Sequence, residues 1–200
     1  MEYRTVGKEV SVSFIEKKSE FIGHIKPVQT EQEAREFLEQ KRSEYSDATH
    51  NVYAYILREN NTQRFSDAGE PHGTAGMPTL AVLQKENLTD VVCVVTRYFG
   101  GILLGAGGLV RAYSKSAKLA VDEAGIVEIR ERITIAFSMP YNLYEIVLRE
   151  LPAFETAVVD TAFEADVKIT ATIEEKFLSD MQKRLSDVSA GRIIIKKVDD

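Results

Sequence analysis

The chain has 200 residues, of which 44% are hydrophobic and 28% charged; that balance suits a globular protein of one or two domains and excludes a disordered one. A formal charge of −6 excludes attraction to nucleic acid or anionic membrane by overall electrostatics, so any anion site has to be local. The single cysteine, Cys93, excludes an intrachain disulfide, and no segment reaches the roughly 20 apolar residues that span a bilayer. The N-terminal MEYRTVGKEV has no signal-peptide core, so a cytoplasmic protein is expected, and Cys93 within VVCVV reads as a buried structural thiol.

Residues 8–17 and 20–28 alternate as two paired strands, with Lys18-Ser19 near their turn. Thr30 and Glu33 form a capping box that opens a helix over 31–44, with Ala34, Phe37, Leu38 and Tyr45 near one face. HNVYAYIL, 50–57, reads as a strand, and the polar stretch that follows it reads as a loop. Thr74 is placed to cap a helix reaching about Asn87, with Pro78 in its first turn. The apolar run 90–97 fits a strand buried on both faces; a helix from Ala106 to Glu123, closed by Gly125, and a strand 126–131 follow.

A new pattern begins near Arg132. Strand 133–139, helix 141–150, strands 154–163 and 165–173, helix 174–188 and strand 191–198 make a βαββαβ order, the ferredoxin-like arrangement. GRIIIKKV reads as the clearest of these strands. The expected fold is therefore α+β with two domains, residues 1–132 and 133–200.

Two stretches concentrate chemistry. In SDAGEPHGTAG, 66–76, Asp67, Glu70 and His72 are titratable groups leading into the Thr74 helix, whose N-terminus favours an anion. RYFGGILLGAGGLVRAY, 97–113, holds five glycines (Gly100, Gly101, Gly105, Gly107, Gly108) and no acidic residue. Glycine there serves either a tight turn or the close approach of another molecule to the backbone. Gly100 or Gly101 is expected to need positive φ, and Gly107 or Gly108 to permit close approach.

Residues 91–121 carry Arg97, Arg111, Lys115 and Lys118 and no acid, and the last three fall at i, i+4 and i+7 on one helix face. The reading is that Arg97, Tyr98, Arg111 and Lys115 converge with the Gly105–Gly108 helix start and the Glu70–Thr74 loop on one concave anion-binding surface. His24, His50 and His72 match no ligand spacing, and the glycines match neither a Walker A loop nor GxGxxG, so no metal and no cofactor are expected. Residues 133–200 hold 8 basic and 12 acidic residues, net −4, which argues against a phosphate-backbone binder there.

DATHNVYAY, SDAGEPHGTAGMPTL and VVTRYFGGILLGAGGLVRAY resemble the signature segments of the YigZ/IMPACT family, over essentially the whole chain. The resemblance implies an N-terminal fold similar to a ribosomal-protein domain and to domain IV of elongation factor G, with a C-terminal domain similar to domain V of that factor. It also implies a link to translation, since eukaryotic relatives act there through a partner protein that controls a kinase of the initiation pathway. The expected function is thus a binding module contacting RNA, ribosome or a translation-control protein, with shape or protein recognition favoured by the net acidity. The alternatives are an enzyme acting on a phosphorylated small molecule or nucleotide, and an interaction protein with no ligand.

Overall fold

The computed structural model describes residues 2–130 and 132–198. The sequence pattern announces nothing before residue 8, yet the chain opens with a strand, β1 (Glu2–Val6). The expected hairpin follows: β2 (Val10–Glu16) and β3 (Ser19–Pro27) pair with Phe14 opposite Phe21 and Glu16 opposite Ser19. Its turn is Lys17-Lys18, both left-handed at φ 46° and 65°. That geometry matches strand twist, but its usual occupants are Asn and Gly. α1 (Glu31–Glu44) has the expected bounds, and Thr30 Oγ1 accepts from the Glu33 amide at 3.2 Å.

β4 (His50–Leu57) is also as expected, but the polar stretch after it is not all loop. A 3-10 turn, Glu59–Asn61, leads into β5 (Thr62–Ser66), which pairs antiparallel with β4. β5 is an edge strand with most side chains exposed, so TQRFS needs no apolar alternation and gives no strand signal. α2 spans Gly76–Lys85, shorter than expected at both ends. β6 (Val91–Tyr98) is buried through Arg97, between β3 and β4 in an antiparallel sheet of order β2-β3-β6-β4-β5. α3 (Ala106–Ala124) ends at Gly125, and β7 (Ile126–Arg130) pairs with β1. Glu131, the expected last residue of that strand, lies outside the described residues.

The five-stranded sheet buries both faces. On one, Phe21, Ile25, Ala54, Cys93 and Val95 meet Leu80 and Leu83 of α2 and Ala112, Tyr113 and Ala117 of α3. On the other, Val92, Val94, Tyr55 and Leu57 meet Ala34, Phe37 and Leu38 of α1. Burial pushes the Cys93 thiol up to about 12, so it stays protonated and inert.

The chain divides into two compact units, Tyr3–Ile129 and a second running from Arg130 onward together with Glu2. The second contains β8 (Arg132–Met139), α4 (Tyr141–Glu150), β9 (Ala157–Phe163), β10 (Val167–Glu174), α5 (Leu178–Ser189) and β11 (Lys196–Lys197). Strand order β11-β8-β10-β9 makes this the ferredoxin-like split βαβ, and the whole fold is α+β. Phe137, Ile169 and Ile173 of the sheet close over Val147 of α4 and Met181 and Leu185 of α5.

Three expectations here need correction. The helix expected from 174 begins at Leu178, because Glu175–Phe177 forms a 3-10 turn before it. β9 begins at 157 because Leu151–Phe154 forms a 3-10 turn. The final strand shrinks to two residues because the end of α5 claims the preceding amides: Gly191 donates to the Ser186 carbonyl, Arg192 to the Ser189 carbonyl and Ile193 to Ser189 Oγ. The apolar alternation survives without the ladder: Ile193 and Ile195 are buried and Ile194 is exposed.

Candidate functional site

The loop before α2 is organised around a carboxylate of its own. Asp67 accepts from the amides of Gly73 (2.8 Å), Ala75 (3.0 Å) and Gly76 (2.8 Å), which fills the helix N-terminus from within. Burial alone would raise the Asp67 carboxyl, but those three donors and the neighbouring His72 outweigh it and hold the group below its ordinary range. Thr74 is not the cap: its hydroxyl donates to the Pro71 carbonyl at 2.6 Å, and the N-cap position is Ala75. His72 is fully exposed, 3.8 Å from Asp67.

Glu70 turns inward from the same loop. Its Oε1 accepts from Arg97 Nη1 at 2.5 Å and from the Tyr113 hydroxyl at 2.8 Å, and His50 Nε2 lies 3.9 Å away. Arg97 is only 5% exposed; its guanidinium also lies 5.4 Å from the centre of the Phe21 ring and 5.5 Å from that of Phe99. Burial first, and the Glu70 charge second, push the Tyr113 phenol far up. Tyr98 donates to Asp47 at 2.7 Å, a bond that, with some burial, raises its phenol to about 12.

Arg97 and Glu70 therefore neutralise each other inside the core and do not line an open surface with Arg111 and Lys115. The expected convergence fails because Arg97 lies on the strand face that α3 covers, where a lone guanidinium would be costly and a carboxylate has been supplied.

Arg111 and Lys115 do come together, with a partner the sequence does not suggest. The hairpin turn brings Lys17 to the first turns of α3, and the three cations rim a cavity of about 230 Å³ floored by Phe14, Leu104, Gly108 and Ala112. Among the described residues Glu16 is the sole acid on its lining. Lys115 Nζ stands 4.4 Å from the centre of the Phe14 ring. Among the described residues none of the three cations has a carboxylate within salt-bridge distance, whereas Lys118, further along the same face, is held by Glu86 and Asp122.

The glycines build this surface. A Cβ on Gly100 would overlap the Lys18 carbonyl, so Gly100 lets the α3 approach lie against the hairpin turn. Gly101 has φ +82°, and a Cβ on Gly108 would come within 2.9 Å of Leu104 Cβ. Gly105 is the N-cap of α3 and offers no side chain to its amides; no acid occupies the first turn, and a Cβ on Gly107 would meet Arg111 Nη1 at 3.6 Å. Around these lie exposed apolar side chains, Phe99, Ile102, Leu103 and Val110, with Leu103 82% exposed.

The opposite sheet face carries a separate polar chain. His24 is buried, its Nδ1 2.7 Å from Ser11 Oγ and its Nε2 3.2 Å from Thr96 Oγ1, and Thr96 donates to Asn51. Burial, then the Lys41 charge, lowers His24 from its ordinary 6.5 to about 4, against a raising effect of Glu44. Among the described residues no three His, Cys, Asp or Glu side chains gather as metal ligands would.

A basic, glycine-shaped surface on an α+β unit followed by a ferredoxin-like unit defines a two-domain protein whose parts match two family models. Residues 17–121 match the Impact N-terminal domain, and residues 137–192 match a domain of unknown function known as DUF1949. The chain belongs to the IMPACT family. It is 38% identical to the IMPACT family member YvyE of Bacillus subtilis over 98% of this chain and 90% of that one. It is 29% identical to the IMPACT family member YigZ of Escherichia coli over 92% of each. Protein IMPACT of Oryctolagus cuniculus shares 34% identity over 47% of this chain and 31% of its own length. A crystal structure of a hypothetical protein superposes with a TM-score of 0.63 at 27% identity, covering 100% of this chain and 98% of that one.

Proposed function

We propose that this protein is a non-catalytic binding protein of translation control, contacting RNA, ribosome or a translation-control protein in the cytoplasm through the hairpin and α3 surface. Family membership supports a regulatory role. The observation that carries the reading is the contrast between two helix starts. Asp67 occupies the amides of α2, while the first turn of α3 has neither cap nor acid and stands beside Lys17, Arg111 and Lys115. At about 230 Å³ this cavity is smaller than the roughly 300–1,000 Å³ usual for small-molecule sites, so this surface suits contact with a macromolecule better than enclosure of a phosphorylated metabolite or nucleotide.

The test is co-sedimentation with ribosomal subunits and anisotropy with RNA across a salt series, comparing wild type with Arg111→Ala/Lys115→Ala. Weaker binding with a salt slope shallower by about two supports the reading, since each lost phosphate contact lowers the slope by about one. Equal binding by both folded proteins removes RNA and ribosome as the occupants of this surface and leaves a translation-control protein.

A further inference from the structure

Resting on that binding role, we infer that the occupant of the hairpin and α3 surface is an acidic amphipathic segment of a partner protein, with one apolar side chain seated in the Phe14–Leu104 cavity and its carboxylates on Lys17, Arg111 and Lys115. Three features select this chemistry. Among the described residues no carboxylate forms an ion pair with these cations, and three cations against one acid, Glu16, line the same cavity, so they complement negative charge. The cavity they rim is floored by carbon and has the size of a single large side chain, as an anchor pocket has.

The third feature separates protein from nucleic acid. Single-stranded RNA is held by stacking bases on open aromatic faces beside cations. Here Lys115 stands over the Phe14 ring, and Phe99 lies beside the Arg97 guanidinium. Phe99 is an exposed ring there, but the most exposed apolar side chain, Leu103, is aliphatic, as are Ile102 and Val110 beside it. These three offer no π face, but they match the apolar stripe of an amphipathic helix, whose anchors recur at i, i+3 or i+4 and i+7. A carboxylate-bearing stripe would meet the cations with its edges while its apolar residues cover Leu103 and enter the cavity.

The experiment is selection of a random-peptide phage library on the immobilised full-length protein, followed by anisotropy with the synthesised winning peptides. Enrichment of Asp/Glu-rich sequences with Leu, Ile, Met or Phe at helical spacing is expected. Their affinity should fall at least about tenfold with Leu103→Asp and with Arg111→Glu/Lys115→Glu. Leu103→Asp alters an exposed side chain, so circular dichroism should show it folded and leave the loss attributable to contact. Failure to enrich any such pattern, or winners indifferent to Leu103→Asp, overturns the inference. So does mixed-sequence RNA outcompeting the winners at these residues. If the peptides fail while ribosomal subunits still bind through Arg111 and Lys115, this inference falls and the translation reading stands. Retained peptide binding with no subunit or RNA binding supports this inference and removes RNA and ribosome from that reading.

Discussion

Glu70 Oε1 accepts from both Arg97 Nη1, at 2.5 Å, and the Tyr113 hydroxyl, at 2.8 Å, so one buried carboxylate oxygen joins a loop, a strand and a helix. Removing either charge leaves the other unpaired in the core. Arg97→Ala or Glu70→Ala should lower unfolding stability by about 3–5 kcal/mol. An Arg97→Met/Glu70→Leu double variant should recover much of that loss, because it leaves no uncompensated charge. Urea denaturation of the three variants checks both parts, and a double variant no better than the singles would contradict the account.

Asp67→Asn should weaken the α2 start by about 1–2 kcal/mol, the usual worth of a lost N-cap. Its pH signature is separate. Because the folded-state carboxyl lies below its ordinary 3.8, the stability it supplies is present above that value and is lost as pH falls through the lower folded value. Asp67→Asn should therefore be less sensitive to acid than wild type below about pH 4, as read from melting temperatures.

His24 acts in a higher window. Its folded value of about 4 lies below its ordinary 6.5, so between these the unfolded chain binds more protons and stability rises with pH. The rise should reach on the order of 3 kcal/mol and level off above about pH 6.5. A His24→Gln variant should show a flatter profile from pH 4 to 6.5, measured by denaturant midpoints. An unchanged slope there would place the effect on another group.

Gly100→Ala and Gly101→Ala should differ in kind. Gly101→Ala meets open space and costs about 1 kcal/mol through its positive φ. Gly100→Ala drives a Cβ into the Lys18 carbonyl, so it should destabilise more and displace the hairpin turn. Thermal melts, with amide shifts at residues 17–19, distinguish the two.

Most of the fold was legible because its strands and helices carry strong periodicity. β4, α1 and α4 agree with the sequence residue for residue, and the α3 cap at Gly125 follows from φ +70° there. β5 is hidden in the sequence because an exposed edge strand has no apolar face, and GRIIIKKV suggests a longer β11 than forms because its alternation records burial and not hydrogen bonding. At the site, Arg111 and Lys115 were readable from helical spacing. Lys17 was not, since its proximity depends on tertiary folding of a hairpin about a hundred residues away in sequence. Arg97 looked free because its neutralising carboxylate, Glu70, belongs to another segment.

The Lys17-Lys18 turn sets stability against recognition. Both residues occupy the left-handed region, where Asn and Gly are more at ease, and a Lys17→Asn/Lys18→Gly hairpin should hold its strands more firmly. The same exchange would strip a cation from the rim of the cavity. A selection for heat resistance alone should drift toward Asn-Gly, while one for partner capture should retain the lysine and tolerate a looser turn.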